Sequence, residues 1–269
     1  MIQIFDKDWN EYNLDDYGLR CLSFEPESLS SELITEKIEG RDGVIVLDES
    51  LNPRMIEAEF RILANDYLDY QLARDSVFRL FDARTYFYVV DTRQTEKRWL
   101  VRSYQVFRPE KVNRVTATFT LNLISPSSYC QSIGTTIQPY ETDTLIQVED
   151  QDIGDPPIQY TFNTNTFSVW NDGDVTVDPR EHDLTIIFQG DSTNLRIKNI
   201  TTGDEWTYTG NTTQSDVIKL EGIRSLKNDS SIFGLTNRKL ITLHKGFNQF
   251  EVSGATNFTI SFDFRYLYF

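Results

Sequence analysis

Histidine and cysteine most often serve as base, nucleophile or soft metal ligand near neutral pH, and both are scarce. His182, His244, Cys21 and Cys130 are all there are. The cysteines are far apart and no Cys-x-x-Cys occurs, so spacing gives neither a structural zinc site nor a disulfide framework. Two reduced thiols and a single bridge both stay open. Neither histidine sits in a His-Glu-x-x-His pair. The chain has no Gly-x-Ser-x-Gly elbow, no phosphate-binding Gly-Lys-Ser/Thr loop and no Gly-x-Gly-x-x-Gly. Carboxylates are plentiful, and Glu149, Asp150, Asp152 and Asp155 form a compact run. Calcium takes about six to eight oxygens in an ordered loop, and this run does not follow the EF-hand order, so a solvated linker is the simpler reading. Carboxylate pairs for glycoside hydrolysis could be drawn in many ways, none marked by a motif. The expectation is no catalytic residue, no metal and no cofactor. Trp170 and Trp206 are the candidates for stacking a sugar ring, set against the plainer reading of tryptophans that pack a core.

The rest of the composition bounds the class. The 269 residues carry 41 acidic and 26 basic side chains, a net charge of −15, with 13% aromatics. The aromatic content is that of a chain with a core rather than a disordered one. No apolar run reaches the roughly 18 residues of a membrane helix, so no membrane association is expected. The start, Met1-Ile2-Gln3-Ile4-Phe5-Asp6-Lys7-Asp8, lacks a basic and then apolar region, and no signal peptide is expected. Net acidity argues against non-specific nucleic-acid binding, which works through Lys and Arg.

The elements that would position any site read as β structure in two halves. In Met55–Leu63, Ile56, Ala58, Phe60 and Ile62 alternate with Glu57, Glu59 and Arg61; Val115–Leu123 repeats the pattern. A period of two places one set on a core and the other in water. Tyr86–Val90 and Trp99–Val101 read as two further strands joined by a polar connection. Asp66–Phe81 breaks the period and predicts a helix, capped by Asn65 or Asp66, with Leu68, Leu72, Phe78 and Phe81 as its inward stripe and Arg74, Asp75 and Arg79 outward. Across 25–50, polar flanks surround Gly40-Arg41-Asp42-Gly43, and Asp42-Gly43 signals a tight turn. The flanks predict a long hairpin arm, either a plain surface loop or an arm that reaches a neighbouring subunit.

After Leu123 the composition shifts, and a boundary is expected near residue 134, giving domains 1–134 and 135–269 with net charges of −6 and −9. The second half shows short alternating stretches broken by turn signals at 154–157, 171–174, 189–191, 202–204, 227–229 and 253–254, a spacing that suits a β-sandwich. At its end Phe258, Ile260, Phe262, Phe264, Tyr266 and Tyr268 share one face, which must be covered. The fold class is mainly β with one α-helix.

The order of motifs resembles the distal tail proteins of siphophages that infect Gram-positive bacteria. In the first half the resemblance lies in Gly40-Arg41-Asp42-Gly43, Arg54-Met55-Ile56-Glu57-Ala58-Glu59-Phe60, Asp69-Tyr70, Phe87-Tyr88-Val89-Val90-Asp91 and Lys97-Arg98-Trp99-Leu100-Val101. In the second it lies in Asn171-Asp172-Gly173-Asp174, Asp178-Pro179, Lys245-Gly246-Phe247-Asn248 and Phe262-Asp263-Phe264-Arg265-Tyr266. It implies an N-terminal β-sandwich with a helix and a long hairpin, and a galectin-like C-terminal sandwich. It implies a non-enzymatic virion protein at the tail tip, assembled in the host cytoplasm. Six N-terminal domains would form a ring whose channel DNA crosses without specific binding. The ring would join the tail tube protein to a tail-associated hub or lysin protein, and the C-terminal domains would dock receptor-binding or other baseplate proteins. The arm residues Ile38, Gly40, Arg41, Asp42, Gly43 and Val44 become the candidate oligomer interface. The galectin sugar signature is missing, since His182 is followed by Asp183-Leu184 and Trp206 is preceded by Asp204-Glu205. Carbohydrate binding for host cell-wall attachment is the alternative function.

Overall fold

A computed structural model describes residues 1–138 and 158–269. The acidic run at 149–155 lies outside the described residues. The chain divides into two units, Met1–Cys130 together with Phe269, and Gln131–Tyr268.

In the first unit the strands pair in the order Glu11–Tyr12, Ile2–Phe5, Phe87–Asp91, Lys97–Ser103, Thr116–Ser125, Arg54–Leu63 and Leu19–Pro26, all antiparallel. Arg54–Leu63 and Thr116–Ser125 run in register over ten pairs, from Arg54↔Ser125 to Leu63↔Thr116. The alternation predicted for them holds. Ile56, Ala58, Phe60, Ile62, Ala117, Phe119, Leu121 and Leu123 are buried, while Glu57, Glu59 and Arg61 face water. Phe60 stacks on Phe119 at 5.5 Å, and Phe81 leans on both. This aromatic group is where the helix meets the sheet.

The helix spans Tyr67–Leu80, and Asp66 caps it, accepting from Leu68 N and Asp69 N at 2.8 and 2.9 Å. Of the predicted inward stripe only Phe81 is buried. Tyr70, Val77 and Phe81 are buried, whereas Leu68 and Leu72 are 73% and 68% exposed and Phe78 is only partly covered. Two apolar stripes run along this helix on opposite sides. The one through Tyr70, Val77 and Phe81 carries the larger rings that fit the Phe60–Phe119 stack, so it wins the core and leaves the leucines in water.

In the second unit a nine-stranded antiparallel sheet encloses one core. Its spine is Leu184–Asn199 paired along Gly246–Phe264, with irregularities at Gly190/Asp191 and between Ser192 and Arg196. Those bulges switch the buried set in the first strand from Leu184, Ile186 and Phe188 to Leu195 and Ile197, so both stretches face the same core. Thr166–Asn171 pairs with Gly246–Glu251, and Val217–Glu221 with Thr185–Gln189. The predicted terminal aromatic face is covered, with Phe258, Ile260, Phe262, Phe264 and Tyr266 all buried. Among the described residues this unit holds no α-helix. Among the described residues the chain is mainly β with one α-helix, as predicted.

Candidate functional site

The arm is built from Ser31–Glu36 and Ile45–Leu51, paired antiparallel from Ser31↔Leu51 to Glu36↔Ile45 with a bulge after Ile34. It starts at Ser31 rather than at residue 25, because Glu25 and Pro26 still pair with Arg54–Leu63. At its base Asn52 N donates to Ser30 O at 2.9 Å. The connection is longer than a two-residue turn. It runs from 37 to 44, with Arg41 N donating to Ile38 O at 3.2 Å and with Gly40 and Gly43 at φ of 81° and 83°. Both φ values lie in the left-handed region, which glycine enters without a Cβ clash.

The arm forms its own two-stranded sheet and pairs with no other described strand. Opposed residues on an antiparallel pair share a face, which puts Leu33, Val46 and Leu51 on one side and Ile34 and Ile45 on the other. Leu33, Ile34, Val46, Leu47 and Leu51 are all exposed, as are Ile38 and Val44 at the tip. Ile38, Gly40, Arg41, Asp42, Gly43 and Val44 therefore lie together at the end of the arm, open to water. A two-stranded ribbon with apolar side chains on both faces has no core of its own and is marginal until something covers it.

A shallow hollow beside the start of the helix is lined by Tyr67, Lys111, Asn113 and Arg114. Lys111 Nζ lies 5.2 Å from the Tyr67 ring centre and 4.8 Å from that of Tyr70. No ion pair involving Lys111 or Arg114 is found among the described residues, nor any involving Glu36, Glu39 or Asp42 on the arm.

In the second unit the two tryptophans part company. Trp206 is a core residue, 1% exposed, with its Nε1 donating to Ser225 Oγ at 3.2 Å, and it offers no face to a sugar. Trp170 is half-buried, packs at 4.5 Å against the exposed Phe247, and donates from Nε1 to Asp172 Oδ1 at 3.1 Å. Phe247 and Asp172 belong to the sequence motifs around 171–174 and 245–248.

Asparagine supplies what sequence patterning missed in these motifs. Asn171, Asn199 and Asn248 are fully buried. Asn171 Nδ2 donates to Val175 O at 2.9 Å and Leu243 O at 3.3 Å. Asn199 Nδ2 donates to Thr242 O and to Asn248 Oδ1, at 2.8 and 3.1 Å. Asn248 also bonds His244 and Gly246. These side chains replace backbone partners that the turns cannot supply. The Asn-Asp-Gly run offers one cue, since a Cβ on Gly173 would come within 2.8 Å of the Leu267 backbone.

The remaining reactive groups are dispersed. Cys21 is half-buried and Cys130 buried, and burial pushes the Cys21 thiol up to about 11. His182 is half-buried, and burial lowers its pKa. Among the described residues no three His, Cys, Asp or Glu side chains are grouped to hold a metal ion. No described helix is long and apolar enough to cross a membrane.

Residues 8–125 match the family described as phage tail protein RIFT-related domain. No curated protein matches the sequence. Among solved structures, the crystal structure of the Dit protein of phage SPP1, described as a paradigm of hub adsorption apparatus in Gram-positive infecting phages, is similar. Its TM-score is 0.71 at 16% identity, covering 99% of this chain and 100% of that one. Two structures of the phage p2 baseplate in its activated conformation, with Sr and with Ca, cover 98% of this chain and 97% of theirs. Their identities are 11% and 12% and their TM-scores 0.44 and 0.45, too low to argue from. Most of the first unit thus matches the model of a phage tail protein domain, and the fold along the chain is similar to that of the SPP1 Dit protein. The resemblance drawn from motif order holds.

Proposed function

We propose that this chain is a distal tail hub, a structural protein at the tip of a phage tail with no catalytic role. Copies of domain 1–134 close into a hexameric ring around a channel, through the arm residues Ile38, Gly40, Arg41, Asp42, Gly43 and Val44. The ring joins the tail tube protein to a tail-associated hub or lysin protein, and domains 135–269 dock receptor-binding or other baseplate components. The observation that carries this reading is an arm with exposed apolar side chains on both faces, in a chain with the fold of a phage hub protein. A closed ring needs one patch of each subunit to meet a different patch on the next. The net charge of −15 suits a conduit whose wall repels phosphate and lets DNA slide. Negative-stain images of the purified protein at micromolar concentration should show rings with a central hole. A particle that stays monomeric alone and with its tail-tube partner refutes the hub.

The half-buried Trp170 against the exposed Phe247, beside Asp172, favours a second reading, in which the C-terminal domain grips a cell-wall saccharide. Glycan-array binding that is lost in Trp170→Ala supports it. Silence of the unsubstituted protein on arrays and on host cell walls excludes it.

A further inference from the structure

The hub reading leaves open what the arm touches. We infer that the arm tip of one copy seats in the hollow beside the helix start of the next copy. This inference rests on the ring reading and names its contact.

Both surfaces lack in their own chain what the other carries. The tip presents Ile38 and Val44, 45% and 56% exposed, among Glu36, Glu39 and Asp42. The hollow presents Tyr67, 54% exposed, beside Lys111 and Arg114, and Leu68, 73% exposed, follows Tyr67 in the helix. Apolar thus meets apolar at the centre, and carboxylates meet cations at the edge, which is the arrangement of a specific interface. Charge complementarity selects the occupant. Residues 31–51 carry six carboxylates against Lys37 and Arg41, so the arm is strongly acidic. The hollow is lined by two cations and no carboxylate.

The geometry also sets the polarity of assembly. Arm and hollow are different patches of one chain, so each copy gives its arm in one direction and receives an arm from the other. Such a contact is heterologous and repeats around a ring. The outward leucines then have a use. Leu68 follows Tyr67 in the helix, and Leu72 is one turn further along the same side as Leu68, where the arm's exposed Val46 and Leu47 can follow.

The test is a charge exchange read by light scattering and electron microscopy. Lys111→Glu with Arg114→Glu, and separately Glu39→Lys with Asp42→Lys, should each raise the concentration needed for rings by more than about tenfold. All four together should restore rings, and circular dichroism should show every variant folded. A covalent readout is independent of charge. Ile38→Cys with Leu68→Cys in one chain should give a ladder of disulfide-linked multimers on oxidation, and either substitution alone should give none. Rings that persist through both reversals overturn the contact and leave the hub reading standing. So does failure of the four-fold variant to recover, or loss of tail-tube binding alone on reversing the hollow. A wild-type protein that never forms rings overturns both.

Discussion

Replacing Asn248 with alanine isolates the buried amide that ties down the Lys245-Gly246-Phe247-Asn248 turn. Asn248 is fully buried. Its Oδ1 accepts from His244 N at 2.9 Å and from Asn199 Nδ2 at 3.1 Å, and its Nδ2 donates to His244 O at 2.8 Å and Gly246 O at 3.0 Å. Alanine removes all four bonds and leaves their partners without that amide inside the unit. At about 1 kcal/mol net per bond the loss is about 4 kcal/mol, and a water entering the gap returns about 1 kcal/mol. For a unit of this size each kcal/mol lowers the midpoint by about 3–4 °C, so thermal unfolding should fall by about 10 °C. The assay is scanning calorimetry beside Gln249→Ala, an exposed neighbour expected to change stability by less than about 0.5 kcal/mol. An Asn248→Ala protein within about 1 kcal/mol of the parent would refute the reasoning and show that the turn holds without its amide.

Acid should weaken the second unit in a defined window. The Thr213 N–H, then Asn228 and Lys227, hold Asp216 well below the usual carboxylate range, and Arg180 lowers the pKa of Asp178. Groups with depressed folded pKa values stabilise the fold above their unfolded pKa near 4, and that contribution is lost as pH falls through the folded values. The unfolding midpoint should be flat from about pH 7 to 5 and decline below about pH 4, with a shallower decline in Asp216→Asn; equal slopes would dismiss Asp216 as a contributor. Cys21 should resist alkylation, since a thiol at about 11 rather than 9.0 holds about a hundredth of the thiolate at neutral pH. Both thiols should react in denaturant, and rapid labelling of Cys21 in the native protein would contradict the burial assigned to it.

Strand alternation was the most legible part of the sequence, because a sheet face that is buried leaves no choice of register. Ile56 to Ile62 and Phe258 to Phe264 fall as the period of two demands. The helix was legible in extent but not in orientation. Leu68 and Leu72 at i, i+4 look like an inward stripe with Phe81, and only the Phe60–Phe119 stack, made by residues far apart in sequence, shows that Tyr70 and not the leucines joins Phe81 on the core side. The arm was legible as a hairpin from its glycines. Its isolation from the rest of the sheet was not, since pairing is a property of space. Trp170 and Trp206 look equivalent in sequence, and their neighbours alone separate a surface ring from a core ring.

The spine of the second unit, Leu184–Asn199 against Gly246–Phe264, has a mechanical corollary. Both strands continue through the bulges without a break, so their two ends share one pair of covalent rods. A pull that shears these rods must rupture many ladder bonds together rather than open a seam one at a time. The unit should yield abruptly and at high force, with no soft intermediate in which half of it hangs open.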